Sequence, residues 1–315
     1  MLDAYRRTGA DPPFGDPRGY HGVGMEGHFW RMTQPATGAV VVAIVAISRD
    51  AGGEQWAMAS LAAHPQGAVR SQTLGEAWAA PRGLALTAGG AVAADERSLR
   101  IAFDDARLEV AFADPLPWPR RGFGALGPAH AIPGLSQYWH PWLLRARVSG
   151  SARIGGAEID LDGAVAYAEK NWGAGGMPPR WWWGQAHGFD RPDVCVAFAG
   201  GRAGIGRLHT TASALVVALG NDVRTVVRPP RALRVAADER GWRLSGGGIE
   251  VEGHAEGVSP HLLPVPVPHE RRRLDDWAPQ HLAATLRLKV GRRGRTLYEG
   301  TSRLAGLELG RGPGG

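Results

Sequence analysis

Tyr167-Ala168-Glu169-Lys170-Asn171-Trp172-Gly173, a Gly- and Pro-rich turn, and then Trp181-Trp182-Trp183-Gly184-Gln185 place a carboxyl, an ammonium and an amide next to three indoles. On an extended strand successive side chains point to opposite faces. Tyr167, Glu169 and Asn171 would then share one face, and Lys170 and Trp172 the other. After the turn, Trp181, Trp183, Gln185, His187 and Phe189 would share a face in the same way. If the two strands are neighbours, an acid, an amide and an imidazole meet inside an aromatic wall. Such a site binds an apolar molecule and protonates it, because burial raises a carboxyl pKa and indole faces stabilise a developing cation. The purely structural reading keeps the same residues apart from any ligand. In it Lys170 pairs with Glu169 or another carboxylate, Asn171 caps the turn before Gly173, and the three tryptophans pack a core.

The composition gives this stretch added weight. Of the 36 Lys and Arg residues only Lys170 and Lys289 are lysines, and Asn occurs only as Asn171 and Asn221. Two of these four rare residues are adjacent inside the motif. A lysine is a compact point charge that can be desolvated, which the planar arginine fork does less readily. The formal charge of +6 therefore comes almost wholly from arginine. These arginines are scattered in short groups (Arg6 and Arg7, Arg120 and Arg121, Arg271 to Arg273, Arg292, Arg293 and Arg295), without an aromatic ladder or a nucleic-acid-binding signature. Nucleic acid is not an expected partner, and peripheral contact with anionic lipid is compatible with the charge. A single cysteine, Cys195, allows no intrachain disulfide and no multi-cysteine zinc site. The longest apolar run, Ala39 to Ile47, has nine residues, against about 20 for a membrane-spanning helix. A cytoplasmic protein, with or without peripheral membrane contact, is the expectation.

The elements that would carry the motif are strands. Short β-branched or aromatic runs alternate with Gly, Pro and Asp, as at Ala39–Ser48, Leu99–Phe103, Leu108–Phe112, Val194–Phe198 and Ile249–Glu252. His281–Val290, a Gly291-Arg292-Arg293-Gly294 turn and Thr296–Leu304 read as a hairpin. The best helical candidate, Arg271–Ala284, is interrupted by Pro279. The fold class is all-β, as one large sandwich or two barrel-like units. The Pro-rich segment Asp114–Pro141 is the candidate boundary, dividing the chain into 1–137 and 138–315. Pro260–Pro268 is a second such stretch, placed to cover a barrel mouth.

Glu169-Lys170-Asn171-Trp172-Gly173, followed by a Gly/Pro turn and the Trp-rich strand Trp181–Gln185, resembles the signature of the tocopherol cyclase family. The likeness extends to Trp139-His140-Pro141-Trp142, to Val194–Gly201, to the closing Thr301–Gly312, and in a shorter form to Gly19-Tyr20-His21 and Met25-Glu26-Gly27-His28-Phe29-Trp30. It implies two lipocalin-like antiparallel β-barrel or sandwich domains. It also implies acid-initiated cyclisation, or hydration, of a prenylated or polyene substrate, with no metal and no organic cofactor. The roles it suggests are Glu169 as the acid or the group that holds it, Asn171 as the group orienting a substrate oxygen, and Trp172, Trp181 and Trp183 around the cation. Tyr167 and Lys170 would border the substrate, His187 and His140 would shuttle protons, and Glu26 with His21 would supply a second acid. Met25-Glu26-Gly27-His28-Phe29 stands where the family has Phe-Glu-Gly-Trp-Tyr, and Gly176-Met177-Pro178 where it has Gly-Phe-Pro, which points to a substrate of the chain's own. Two rival expectations remain: a carrier of a hydrophobic ligand, and a motif that only locks sheets together.

Overall fold

The computed structural model describes residues 1–312 apart from 120, 121, 207, 240, 256, 258 and 268. Arg120 and Arg121, one of the arginine groups above, lie outside the described residues. Beyond the short helix Leu2–Arg6 and a 3-10 turn at Gly127–Ala131, the described elements are strands, so the chain is all-β. No helix among the described residues is long and apolar enough to cross a membrane.

Twelve strands make the first sheet. They are β1 (Met25–Gln34), β2 (Ala39–Arg49), β3 (Gln55–His64), β4 (Ala68–Leu74), β5 (Trp78–Ala79) and β6 (Ala85–Ala88). β7 (Val92–Asp95), β8 (Ser98–Ala102), β9 (Arg107–Pro117), β10 (Tyr138–Ile154), β11 (Ala157–Asp160) and β12 (Val165–Gly173) complete it. Their order is β4-β3-β2-β1-β12-β10-β9-β8-β7-β6-β5, with β11 on β10. The second sheet holds β13 (Arg180–Ala186), β14 (Val194–Ile205), β15 (Leu208–Leu219), β16 (Asp222–Arg228) and β17 (Arg234–Ala237). It continues with β18 (Gly241–Gly246), β19 (Ile249–His254), β20 (His261–Pro266), β21 (Leu274–Arg292) and β22 (Arg295–Arg311). Its order is β16-β15-β14-β13-β22-β21-β19-β18-β17, with β20 on β21. The expected terminal hairpin is β21–β22, and the segment weighed as a helix joins β21 from Leu274 onward.

Each sheet curls round a core of its own, and a third core joins the two. Val41 and Leu61 meet Leu86, Ile101 and Leu108 inside the first sheet, and Val196 and Val217 meet Leu244 and Val251 inside the second. Between the sheets lie Phe29, Val42, Leu144 and Tyr167 from one side and Trp181, Trp183, Ala197 and Val216 from the other. The shared strands are therefore covered on both faces, which explains the unbroken apolar run in β2. Outlying β9 shows strict alternation of exposed and buried residues over its first half, as a strand covered on one face should.

The change of sheet falls at 174–179, after β12, and does not coincide with the division expected at 137/138. The Pro-rich segment connects β9 to β10 within the first sheet, because β10 hydrogen-bonds to both β9 and β12. The second Pro-rich stretch forms β20, which reaches across to the first sheet, where His261 Nε2 lies 3.3 Å from the Ala63 carbonyl oxygen.

Lys170 turns into the first sheet and ties down the N-terminal segment. Its Nζ stands 2.6 Å from Glu26 Oε2, both side chains fully buried, and donates to the Gly19 carbonyl at 2.7 Å. Glu26 also accepts the backbone N–H groups of His21 (2.9 Å) and Gly22 (2.6 Å). His21 Nε2 lies 2.9 Å from Asp11 Oδ2, and its ring stacks on Trp172 at 4.7 Å. Burial pushes the Glu26 carboxyl up, but Lys170 and His21 outweigh it and hold the group well below the usual carboxylate range. Lys170 thus locks residues 9–26 onto the sheet and does not clamp the two sheets together. Removing one partner of a buried pair leaves an uncompensated charge. Lys170→Met is expected to lower the unfolding free energy by about 3–5 kcal/mol, read from urea denaturation; a loss below about 1 kcal/mol would contradict this role.

Candidate functional site

The pleat of β12 sorts the motif. Trp172 lies opposite Glu26 and Lys170 opposite His28, whereas Asn171, Glu169 and Tyr167 lie opposite Gly27, Phe29 and Arg31. The second set faces the other sheet: Asn171 and Glu169 border a cavity between the two sheets, and Tyr167 lies in the core between them. Its wall includes Glu169, Asn171, Trp181, Trp183, Met58 and Met177.

Glu169 is buried, and its Oε2 accepts the Tyr167 hydroxyl at 2.5 Å and the Trp183 indole N–H at 2.8 Å. Burial pushes its pKa up to about 7; hydrogen bonds from Tyr167 and Trp183 pull it down, and the Glu308 carboxyl adds to the rise. A carboxyl poised near neutrality still carries its proton for a share of the molecules at pH 7, as a general acid requires.

Glu308 is the carboxyl that sequence reasoning missed. It lies on β22 directly opposite Trp183 and is buried on the same cavity wall. One carboxyl oxygen accepts the Trp181 indole N–H and the other accepts Gln280 Nε2 at 2.9 Å. Burial raises its pKa against these two bonds. The signal in the sequence is the period-two pattern Gly306-Leu307-Glu308-Leu309-Gly310. Gly310 is needed because Trp181 lies across it: a Cβ there would come within 1.9 Å of the indole. The glycines flanking Glu308 let the indoles lie against β22.

Three amides complete the wall. The side-chain oxygens of Asn171, Gln137 and Gln280 are buried without a hydrogen-bond partner, and all three residues line the cavity. Asn171 is seated over Gly27, where a Cβ would stand 2.5 Å from its Oδ1. An unpaired buried acceptor is costly, so each is an acceptor suited to a ligand hydroxyl.

The other residues expected at the site lie elsewhere. Lys170, Trp172, Glu26 and His21 form the lock on the far face of β12. His140 packs edge-on to Trp118 at 5.5 Å and His130 at 6.0 Å, and burial holds its pKa well below the ordinary value. His187 follows the end of β13, with Nε2 3.0 Å from the Leu144 carbonyl oxygen and Nδ1 3.2 Å from Gln185 Nε2. Burial lowers it to about 3. Both imidazoles are neutral at pH 7 and away from the cavity wall, which disfavours a proton-shuttle role. Phe189 joins the core of the second sheet. Among the described residues no group of three or more His, Cys, Asp or Glu is placed to hold a metal ion.

The family model described as "Tocopherol cyclase-like" matches residues 133–311. A probable chloroplastic tocopherol cyclase of Oryza sativa subsp. japonica is 26% identical over 198 residues, 58% of this chain and 41% of that protein. The chloroplastic tocopherol cyclase of Zea mays is 25% identical over 203 residues, with the same coverage. The chain thus spans about two fifths of the length of these curated relatives. Among solved structures, CghA superposes with a TM-score of 0.56 at 11% identity, covering 93% of this chain and 90% of its own. A putative AttH of Nitrosomonas europaea superposes at 0.51 and 13% identity, covering 92% and 93%. These likenesses give the fold: two lipocalin-like antiparallel sheets, each a half-barrel.

The raised Glu169 carboxyl has a consequence for stability. Its folded pKa of about 7 exceeds the ordinary value of 4.5. Its contribution is therefore fully present below about 4.5 and is lost as pH rises through about 7. Glu169→Gln cannot ionise, so its stability relative to wild type is expected to rise by roughly 3 kcal/mol between pH 5 and pH 9. Parallel stability–pH curves in chemical denaturation would remove the shifted carboxyl.

Proposed function

The chain belongs to the tocopherol cyclase-like family, and on that premise we propose that it catalyses acid-initiated cyclisation of a prenylated or polyene hydrophobic substrate in the cavity between its sheets. The observation that carries this reading is Glu169, a buried carboxyl poised near neutrality, gripped by Tyr167 and Trp183 in an aromatic wall. A carrier needs the apolar cavity but has no use for a positioned acid.

In this reading the Glu169 carboxyl gives its proton to one carbon of a substrate double bond. The C–H bond forms from the π pair, leaving a tertiary cation on the neighbouring carbon. The electron-rich rings of Trp181 and Trp183 lower the energy of that charge. Asn171 Oδ1, a buried acceptor without a partner, holds the substrate hydroxyl that attacks the cation. As the C–O bond closes, the hydroxyl turns its proton from Asn171 to Glu308, which takes it up as the carboxylate and borders the same cavity. Return of that proton to Glu169 restores the starting state, so the reaction is an isomerisation without a net co-reactant. Were water the nucleophile, the same steps would give hydration. The rice and maize relatives are tocopherol cyclases by name, and CghA is known with Sch210972 bound.

The test is incubation of the purified protein with prenylated quinols and polyenes, followed by a search for an isomeric product. Glu169→Gln, still folded, is expected to lower kcat by about 10²–10⁴-fold while ligand binding persists. In wild type kcat/KM is expected to fall as pH rises above about 7, because the proton-bearing form is lost. Binding with no product in wild type would favour the carrier.

A further inference from the structure

The hairpin between β14 and β15, whose strands line the cavity, ends in exposed aliphatic side chains. Gly200, Gly201, Arg202 and Ala203 on β14 and Ala212 on β15 line the cavity. The two strands stay paired to their tip, where Ile205 lies opposite Leu208. Leu208 is 81% exposed and Ile205 44% exposed. The loop before β10 belongs to the same rim, because Ser136 N–H donates to the Gly204 carbonyl at 2.9 Å and Gly204 N–H donates to Ser136 Oγ at 3.2 Å. That loop carries Ile132, 42% exposed. Single exposed aliphatics are ordinary on a protein surface. Here Ile205 and Leu208 are paired at the tip of a hairpin whose strands line an apolar cavity, and Ile132 lies on the loop bonded to that tip.

The β14–β15 segment itself carries charge of one sign. Arg202 and His209 are exposed, and no Asp or Glu occurs between Asp193 and Asp222. Aliphatic side chains beside cationic ones on an acid-free segment suit the interface of an anionic bilayer, where the apolar groups enter the acyl boundary and the cations meet headgroups. We propose that the β14–β15 tip, with the loop ending at Ser136, docks the cavity mouth on an anionic lipid surface. Its purpose, the loading of a lipophilic substrate, rests on the reading above; the docking itself does not.

A rival surface sits at the other end of the second sheet. The β21–β22 turn carries Arg292, Arg293 and Arg295, with Arg224, Arg231 and Lys289 around the same cleft. The cavity, by contrast, borders the β22 end at Glu308. A bilayer held at the arginine turn would leave the cavity mouth facing away from the lipid.

The experiment is co-sedimentation of the full chain with vesicles of phosphatidylcholine containing phosphatidylglycerol. Wild type is expected to bind. Ile205→Ser/Leu208→Ser is expected to reduce partitioning by about tenfold or more, since two aliphatic side chains no longer enter the acyl boundary, with an unchanged Tm because both side chains are exposed. Arg292→Ser/Arg293→Ser/Arg295→Ser is expected to retain binding. The proposal is overturned if wild type does not bind, if the aliphatic pair variant binds as wild type, or if only the arginine variant loses binding. No turnover enters the assay, so its failure leaves the chemistry at Glu169 standing. Vesicle binding by a protein that converts no substrate would remove the cyclase and keep the docking.

Discussion

The structure depends on one strand being buried on both faces. β12 lies between β1 and β10 with a core on either side, so its pleat sends neighbouring residues into separate compartments. Glu169 and Lys170 are adjacent in the chain and would neutralise each other on a loop. On β12 they cannot meet. Lys170 enters the first half-barrel and is matched by Glu26, while Glu169 enters the cavity with only neutral donors, Tyr167 and Trp183, on its carboxyl. A buried carboxyl without a cation keeps its proton to higher pH. The acid exists because the strand geometry withholds the base next to it.

The second sheet gives that acid its surroundings. β13 offers two indoles on one face, and each donates its N–H to a different carboxyl: Trp183 to Glu169 across the gap and Trp181 to Glu308 on the adjoining strand. Two carboxyls whose pKa values are both raised by burial are thereby fixed on one cavity, one from each sheet. A site assembled from both half-barrels needs their relative position held firmly. Arg31 contributes to that, reaching from β1 to the carbonyl oxygens of Leu282 (2.6 Å) and Leu304 (2.7 Å) in the second sheet.

Much of this was legible in the sequence, and the reason is periodicity. The period of two assigned the strands, the terminal hairpin and the split of Tyr167, Glu169 and Asn171 from Lys170 and Trp172, since side-chain direction on a strand is local information. Partners across strands are not local. Nothing near Lys170 points to Glu26, and Glu308 acquires meaning only when β22 is laid beside β13. Proline content misled for a related reason: a Pro-rich segment marks a long connection but does not say whether its two strands share a sheet, and here β9 and β10 do. The histidines show the limit of residue type. His140 and His187 have the right chemistry for shuttling protons, but burial removes their ability to hold a charge at neutral pH.

The acid chemistry turns on Glu169 being uncompensated in its cavity. The most direct measurement is an infrared titration of the protonated-carboxyl C=O stretch, with the Glu169 band assigned by its absence in Glu169→Gln. The band is expected to disappear with a midpoint near pH 7. A midpoint near the ordinary glutamate value of about 4.3 would contradict it.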